Sequence, residues 1–165
     1  MSPRITLKSS LIALAVAATL ACCGNQARAQ STYAGSFALK NWGTGMYMED
    51  AYTSIGGPEF QNTVFQNSTE VYAFYVLPNG SYAIINTFSG LALTDMSFAG
   101  MTTAEQYGFG NGPYQQWRVI YVIDGSYAIV NVATGKALTA PSYSDFSDLI
   151  TYPFFYSELQ LWFLD

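Results

Sequence analysis

Histidine is absent from this sequence of 165 residues, and cysteine occurs only as the neighbours Cys22 and Cys23. Charge is scarce, at 10% of residues, and unevenly placed. Arg4, Lys8 and Arg28 fall in the first 29 residues; beyond them stand only Lys40, Arg118 and Lys136, against eleven Asp and Glu. Each shortage excludes something. Without imidazole or thiol after residue 29, the usual nucleophile–base pairs cannot be assembled, and catalysis is not expected. Zinc-type sites and disulfides are excluded on the same ground. A net charge of −8 over residues 30–165, three cations against eleven acids, repels phosphate backbones and anionic lipid. Nucleic acid and membrane surfaces are therefore poor partners. No amphipathic helical run of useful length occurs after Gln30 either.

The first 29 residues stand apart. A positive start, an apolar run over residues 11–21 interrupted only by Thr19, and Ala27-Arg28-Ala29 have the layout of a secretory signal peptide cut before Gln30. A run of eleven residues is too short to span a bilayer as a permanent helix. The expected location is secreted or periplasmic, with no membrane attachment once the signal is removed. A lipid-anchored form through Cys22 or Cys23 is the minor alternative, because the residues before them fit a lipid-attachment box poorly.

What the remainder has in plenty is aromatic side chains and repetition. All three Trp, thirteen Tyr and eleven Phe lie after residue 29, ample for one filled core. SYAIVNVATGKALTA at 126–140 reappears 45 positions earlier as SYAIINTFSGLALTD at 81–95, and again as SFALKNWGTGMYMED at 36–50. Gln115-Gln116-Trp117 likewise precedes Gln160-Leu161-Trp162 by 45, and follows Glu70-Val71-Tyr72 by 45. The units are 31–75, 76–120 and 121–165, in frame and without gaps, within a single domain of 30–165.

Short β-rich segments broken by Gly, Asn, Asp, Pro and Ser clusters about every ten residues argue for an all-β fold. Asn79-Gly80 and Asp124-Gly125 predict hairpins with primed turns. Asn41, Asn86 and Asn131 each begin an Asn-x-x-[Ser/Thr]-Gly turn. A second strand then carries Met48, Leu93 or Leu138. A third is expected around 61–65, 106–109 or 151–155, and a fourth through Tyr72, Trp117 or Trp162. Four short strands cannot bury an apolar face alone, so the three units must share one core. Alternation assigns its layers: Leu39, Ile84, Ile129; Met48, Leu93, Leu138; Tyr72, Trp117, Trp162; Phe74, Val119, Leu164. Twelve short strands in three 45-residue pseudo-threefold repeats describe a β-trefoil.

The pattern YxIxNxxSGxxL with a later QxW resembles the ricin-type β-trefoil, the R-type lectin domain. It is carried by Tyr82, Ile84, Asn86, Ser89, Gly90, Leu93, Gln115 and Trp117, and again by Tyr127, Ile129, Asn131, Thr134, Gly135, Leu138, Gln160 and Trp162. The first unit is a worn copy. The resemblance implies carbohydrate binding in up to three shallow hollows. In sugar-binding members an Asp four after the glycine accepts from sugar hydroxyls, an aromatic on the third strand stacks on the ring, and the Gln of QxW completes the pocket. Here the four-after-glycine residues are Glu49, Thr94 and Thr139, and Asp50 and Asp95 lie one position late, on the other face of a regular strand.

The expected site residues are Asp95, Thr94, Tyr107 and Gln115 in the second unit, with Asp95, Tyr107 and Gln115 the preferred pocket. Thr139, Tyr152 and Gln160 stand for the third unit, and Glu49 and Asp50 for the first. Three bland readings stand beside these: Glu49 and Asp50 as a solvated loop, Gln115 and Gln160 as ties to backbone, Trp117 and Trp162 as core. Tyr114 and Tyr156 are further candidates for exposed contact, and Trp42, which has no aromatic counterpart, is undecided. No DxDxDG-like loop occurs; neither a metal nor a cofactor is expected. The expected partners are glycans or glycoconjugates. The alternative is a protein-binding module, such as a trefoil protease inhibitor using residues 51–66, 96–112 and 141–157, or a structural surface protein without a small ligand.

Overall fold

One local signal closes the same turn three times. The side chains of Asn41, Asn86 and Asn131 are buried, and each Oδ1 accepts from backbone N–H groups two or three residues on, among them Thr44 at 3.0 Å, Ser89 at 3.0 Å and Ala133 at 2.9 Å. Gly45, Gly90 and Gly135 then take φ of 70°, 71° and 69°, the left-handed region that only a residue without Cβ enters freely. The Asn amide faces the other way. It donates to carbonyls of the neighbouring unit: Leu159 for Asn41 at 3.0 Å, Thr69 for Asn86 at 2.8 Å, Tyr114 for Asn131 at 2.9 Å. Each turn is thus also a rivet between units.

The structure is a computed structural model that describes residues 31–50, 53–65 and 68–165. The expected signal peptide lies outside the described residues. Among those described there are twelve strands: β1 Thr32–Asn41, β2 Tyr47–Glu49, β3 Phe60–Asn62, β4 Val71–Val76, β5 Tyr82–Asn86, β6 Ala92–Asp95, β7 Ala104–Tyr107, β8 Trp117–Tyr121, β9 Tyr127–Asn131, β10 Lys136–Thr139, β11 Ile150–Pro153 and β12 Leu161–Leu164. Strands β1, β4, β5, β8, β9 and β12 pair in that order, and β12 returns to β1, closing a six-stranded barrel with no free edge. The pairs β2–β3, β6–β7 and β10–β11 form three hairpins over one end. Single-turn 3-10 helices at Ser68–Glu70, Pro113–Gln115 and Glu158–Gln160 lead into β4, β8 and β12.

The three hairpins meet on the axis in a ring of backbone hydrogen bonds. Glu59 N–H donates to Ala104 O at 2.9 Å, Ala104 N–H to Leu149 O at 2.9 Å, and Leu149 N–H to Glu59 O at 2.7 Å. These positions are 45 apart, so the ring is the pseudo-threefold in its barest form. This is the β-trefoil that the repeats predict.

The core lies beneath that ring. Leu39, Ile84, Ile129, Met48, Leu93, Leu138, Tyr72, Trp117 and Trp162 are all fully buried in one cluster. The fourth expected layer is graded: Phe74 is buried, while Val119 and Leu164 are partly buried and pack against the cluster. Trp117 and Trp162 place their Nε1–H on Leu93 O and Leu138 O at 2.9 and 3.1 Å. Such burial stabilises by roughly 1.5–3 kcal/mol per large aliphatic side chain.

Two local expectations need revision. The third strands start a residue or two earlier than expected and also end sooner, at Asn62, Tyr107 and Pro153. The turn at Pro78 is not primed. Asp124 and Gly125 both have positive φ, 50° and 83°, but in the other hairpin only Gly80 does. Proline fixes φ near −65° at Pro78, so the turn takes an ordinary first half and leaves the left-handed step to glycine.

Candidate functional site

Two hollows are related by the 45-residue shift. The second-unit hollow, about 390 Å³, lies between β6, β7 and the turn before β8, with Thr94, Phe98, Tyr107, Gly110, Tyr114 and Gln115 among its lining. The third-unit hollow, about 300 Å³, is lined by Thr139, Ile150, Tyr152, Phe155, Leu159 and Gln160. Thr, Tyr and Gln recur at equivalent places in both, brought together by strand register: Ala92 pairs with Tyr107 as Ala137 pairs with Tyr152.

The glutamines build the hollows rather than reach into them. Gln115 Nε2 donates to Thr94 Oγ1 at 3.1 Å and Gly108 O at 3.0 Å, while its Oε1 accepts from Gly110 N–H at 2.8 Å. Gln160 does the same with Thr139 Oγ1 at 3.2 Å, Pro153 O at 2.8 Å and Phe155 N–H at 2.8 Å. Thr94 and Thr139 spend their own hydroxyl protons on Ala92 O and Ala137 O. Each amide therefore clamps the loop after the third strand, and the bland reading of both glutamines describes their bonding. What remains to meet a ligand is aromatic: half-buried Tyr107 and Tyr114 with Phe98, whose ring lies 5.2 Å from that of Tyr114, and exposed Tyr152 with Phe155, rings 6.0 Å apart. Phe98 and Phe155 both sit in the divergent stretches, and neither recurs in every unit: position 53 is Thr53 and 143 is Tyr143, while Phe155 is matched by Phe65 but by Gly110 in the second unit.

Asp95 does not belong to the hollow. It is fully buried, and Oδ1 accepts from Ser97 N–H at 2.9 Å, Ser97 Oγ at 2.7 Å and Thr151 Oγ1 at 2.9 Å, while Oδ2 accepts from Thr134 Oγ1 at 2.6 Å. The side-chain alternation that puts Thr94 toward the hollow turns Asp95 inward, onto the seam with the third unit. The preferred grouping of Asp95, Tyr107 and Gln115 is thus corrected to Thr94, Tyr107 and Gln115.

Glu49 and Asp50 are corrected in two directions, being neither hollow-lining in the manner of Tyr107 nor solvated. Both are buried. Glu49 accepts from Asn62 Nδ2 at 2.5 Å and Thr69 Oγ1 at 3.2 Å. Asp50 accepts from Gln106 Nε2 across the seam between first and second units. Asn62 stands where the other units have Tyr107 and Tyr152, so the first unit has no tyrosine at that position; there Tyr47, paired with Asn62 from β2, packs its ring 5.1 Å from that of Phe65.

A third acid, Glu59, went unremarked in the sequence. It lies buried on the axis, where the other units have Ala104 and Leu149, and its Oε2 accepts from Tyr72 OH at 2.6 Å. Burial pushes its carboxyl well above the usual glutamate range, and nearby Asp50 adds to the rise; the Tyr72 hydrogen bond only partly opposes them. Tyr72 is itself pushed up, first by burial and then by Glu59. The pair occurs in the one unit that lacks tryptophan at the Trp117 and Trp162 position. Among the described residues, no three His, Cys, Asp or Glu side chains are grouped as a metal-ligand set.

The comparisons with known proteins agree with this geometry. Residues 72–152 match the family described as ricin-type beta-trefoil lectin domain-like. No curated protein sequence matches the chain. Among solved structures, it is similar to a designed 3-fold symmetric protein, ThreeFoil, at 27% identity and TM-score 0.74, over 79% of this chain and 98% of that one. It shares its fold with the Rhizoctonia solani agglutinin, at 14% identity and TM-score 0.71, over 79% of this chain and 94% of that one. An exo-beta-1,3-galactanase from Clostridium thermocellum also shares it, at 21% identity and TM-score 0.73 over 78% of this chain, which spans 29% of that enzyme.

Proposed function

Starting from a chain whose fold is the ricin-type β-trefoil of lectins, we propose that it binds carbohydrate through the two equivalent hollows of the second and third units. The observation that carries this reading is the pairing itself. Both hollows keep a rigid Thr–Gln clamp beneath a tyrosine platform, although the loops around them differ in sequence. A pyranose ring has an apolar face suited to Tyr107 or Tyr152, with hydroxyls at its edge for backbone groups of the clamped loops. Neither hollow supplies a carboxylate, since Asp95 is turned away and position 140 is Ala140. Each contact is therefore weak, and useful affinity comes from glycans that engage both hollows at once. The chain acts by binding and not by catalysis. Export through the leader at 1–29 places it outside the cytoplasm, secreted or periplasmic, where glycoconjugates are the available partners.

A titration of isotope-labelled protein with oligosaccharides tests the reading. The amides of Gly108, Gly110 and Gly112 should shift together, with those of Phe154 and Phe155 following in the other hollow. A glycan that is bound while these amides stay still would place the site elsewhere.

Protein binding is the second reading, favoured by one observation. Ile55, Phe65, Phe98, Phe109, Phe146 and Phe155 are large exposed apolar side chains, and all lie in the three divergent stretches. Inhibition of a protease from a panel, with no response to any glycan, would favour it.

A further inference from the structure

Four departures from the repeat meet at one place beside the third-unit hollow, with Ser157 on the wall between them. The turn after β1 begins Trp42-Gly43, where the other units have Thr87-Phe88 and Val132-Ala133. Gly43 lies flat on the third unit: its N–H donates to Glu158 O at 3.2 Å, and Trp42 N–H to Leu161 O at 2.8 Å. A Cβ on Gly43 would sit 2.8 Å from Glu158 Cγ and 3.0 Å from Leu159 Cδ2, so no other residue fits without moving that wall. The third departure is Tyr156, 72% exposed and held at φ 60°. Its second-unit counterpart Asn111 has φ 59°. Asparagine enters that region readily, whereas a bulky tyrosine pays roughly 1 kcal/mol to stay there. The fourth is Glu158, where the second unit has Pro113.

Between these side chains opens a hollow of about 710 Å³, lined by Trp42, Val122, Ile123, Tyr156, Ser157 and Glu158 among others. Its aromatic walls are braced from behind. The Trp42 ring packs 5.9 Å from that of Phe163 and against the small cluster of Ala128, Val130, Ala137 and Leu161; the Tyr156 ring lies 4.4 Å from that of Phe154. The carboxylate is braced too, because Tyr143 OH donates to Glu158 Oε1 at 2.6 Å, leaving Oε2 for a ligand.

We propose that this hollow is a further carbohydrate site, unlike the repeat-related pair: one pyranose ring lies against the Trp42 indole, two neighbouring hydroxyls donate to Glu158, and Tyr156 closes the rim. Flat aromatic surface beside a fixed carboxylate matches the two faces of a sugar ring, apolar above and hydroxyl-bearing at the edge. The volume falls in the range of small-ligand sites. Core requirements are shared by all three units, so residues that differ only where two units meet a hollow are not explained by the core. The proposal shares the lectin reading but none of its site residues.

Tryptophan emission separates the two. Trp117 and Trp162 are fully buried, so an emission change on ligand addition reports Trp42. Galactose, N-acetylglucosamine and mannose, titrated into the millimolar range, should include one that gives a saturable change. Tyr156→Asn, which installs the residue the second unit already tolerates, and Glu158→Gln should each weaken it about tenfold or more. The Tyr107→Ala/Tyr152→Ala double variant should keep the tryptophan signal while losing whatever binds in the repeat-related hollows. The proposal is overturned if no sugar changes the emission, or if the change survives both Tyr156→Asn and Glu158→Gln. Sugar binding that disappears only with the two tyrosines overturns it and leaves the first reading standing. A tryptophan response with silent repeat-related hollows does the reverse.

Discussion

Thr151 donates its hydroxyl to Oδ1 of Asp95 at 2.9 Å, across the seam between the third unit and the second. The same seam between second and first units is closed by Gln106 and Asp50. In the remaining seam position 140 is Ala140, and Gln61 instead reaches Ser142 O at 2.7 Å and Ser144 O at 2.8 Å. In all three seams the same position of the third strand holds the preceding unit: Thr151 and Gln106 grip the acid at the end of the second strand, and Gln61 grips the loop that follows it. The acids Asp50 and Asp95 are therefore parts of the joinery.

Asp95→Ala should accordingly damage stability and spare binding. Removing a buried carboxylate leaves Ser97, Thr134 and Thr151 as unpaired donors, for an expected loss of about 2–4 kcal/mol in urea denaturation. Glycan affinity of the folded protein should stay within about twofold. A double-mutant cycle with Thr151→Val should show coupling of about 1 kcal/mol or more.

Gln160→Ala should loosen one hollow without unfolding the protein. Three hydrogen bonds of the clamp vanish, and about 1–3 kcal/mol of stability should go with them. Hydrogen exchange at the Phe155 amide should quicken strongly, while that at Gly110, held by Gln115, should not change.

Glu59 gives stability a pH dependence of known sign. Its folded carboxyl titrates well above the ordinary value near 4.5. The contribution of the protonated, buried group is thus fully present below about 4.5 and is lost as pH rises through the folded value. Glu59→Gln keeps an acceptor for Tyr72 and has no proton to lose. The stability of the wild type relative to this variant should be lowest at neutral and alkaline pH and should rise on acidification. A difference independent of pH between 4 and 9 would mean that Glu59 titrates normally.

Gly43→Ala should lower the melting temperature by several degrees, because the new Cβ must displace Glu158 or Leu159. At a permissive backbone position, glycine to alanine would instead be neutral or stabilising.

The fold was legible because triplication states it three times. A side chain such as Leu93 is ambiguous alone, but Leu93 with Met48 and Leu138, all fully buried, is a layer. The hollows were half legible. Thr94, Tyr107 and Gln115 repeat as Thr139, Tyr152 and Gln160, so their register carries over. Asp95 misled because an acid near a pocket motif suggests a ligand, whereas its one-position offset governs where it points. Glu59 stands where the other units have Ala104 and Leu149, Phe98 where they have Thr53 and Tyr143, and Phe155 recurs only as Phe65, with Gly110 between them. Comparison within the chain highlights what recurs in every unit, and none of the three does. Trp42 and Tyr156 could be seen as departures from the repeat, but only the folded chain brings residues from the first and third units to one hollow.

The most direct test of the central claim is a glycan array probed with wild-type protein and with the Tyr107→Ala/Tyr152→Ala double variant at equal folded concentration. Each ring is half-buried or more exposed, so truncation should leave the fold intact. The account predicts binding by the wild type to multivalent glycans and a loss of at least about tenfold in the variant. Binding that is unchanged when both tyrosines are gone would contradict it.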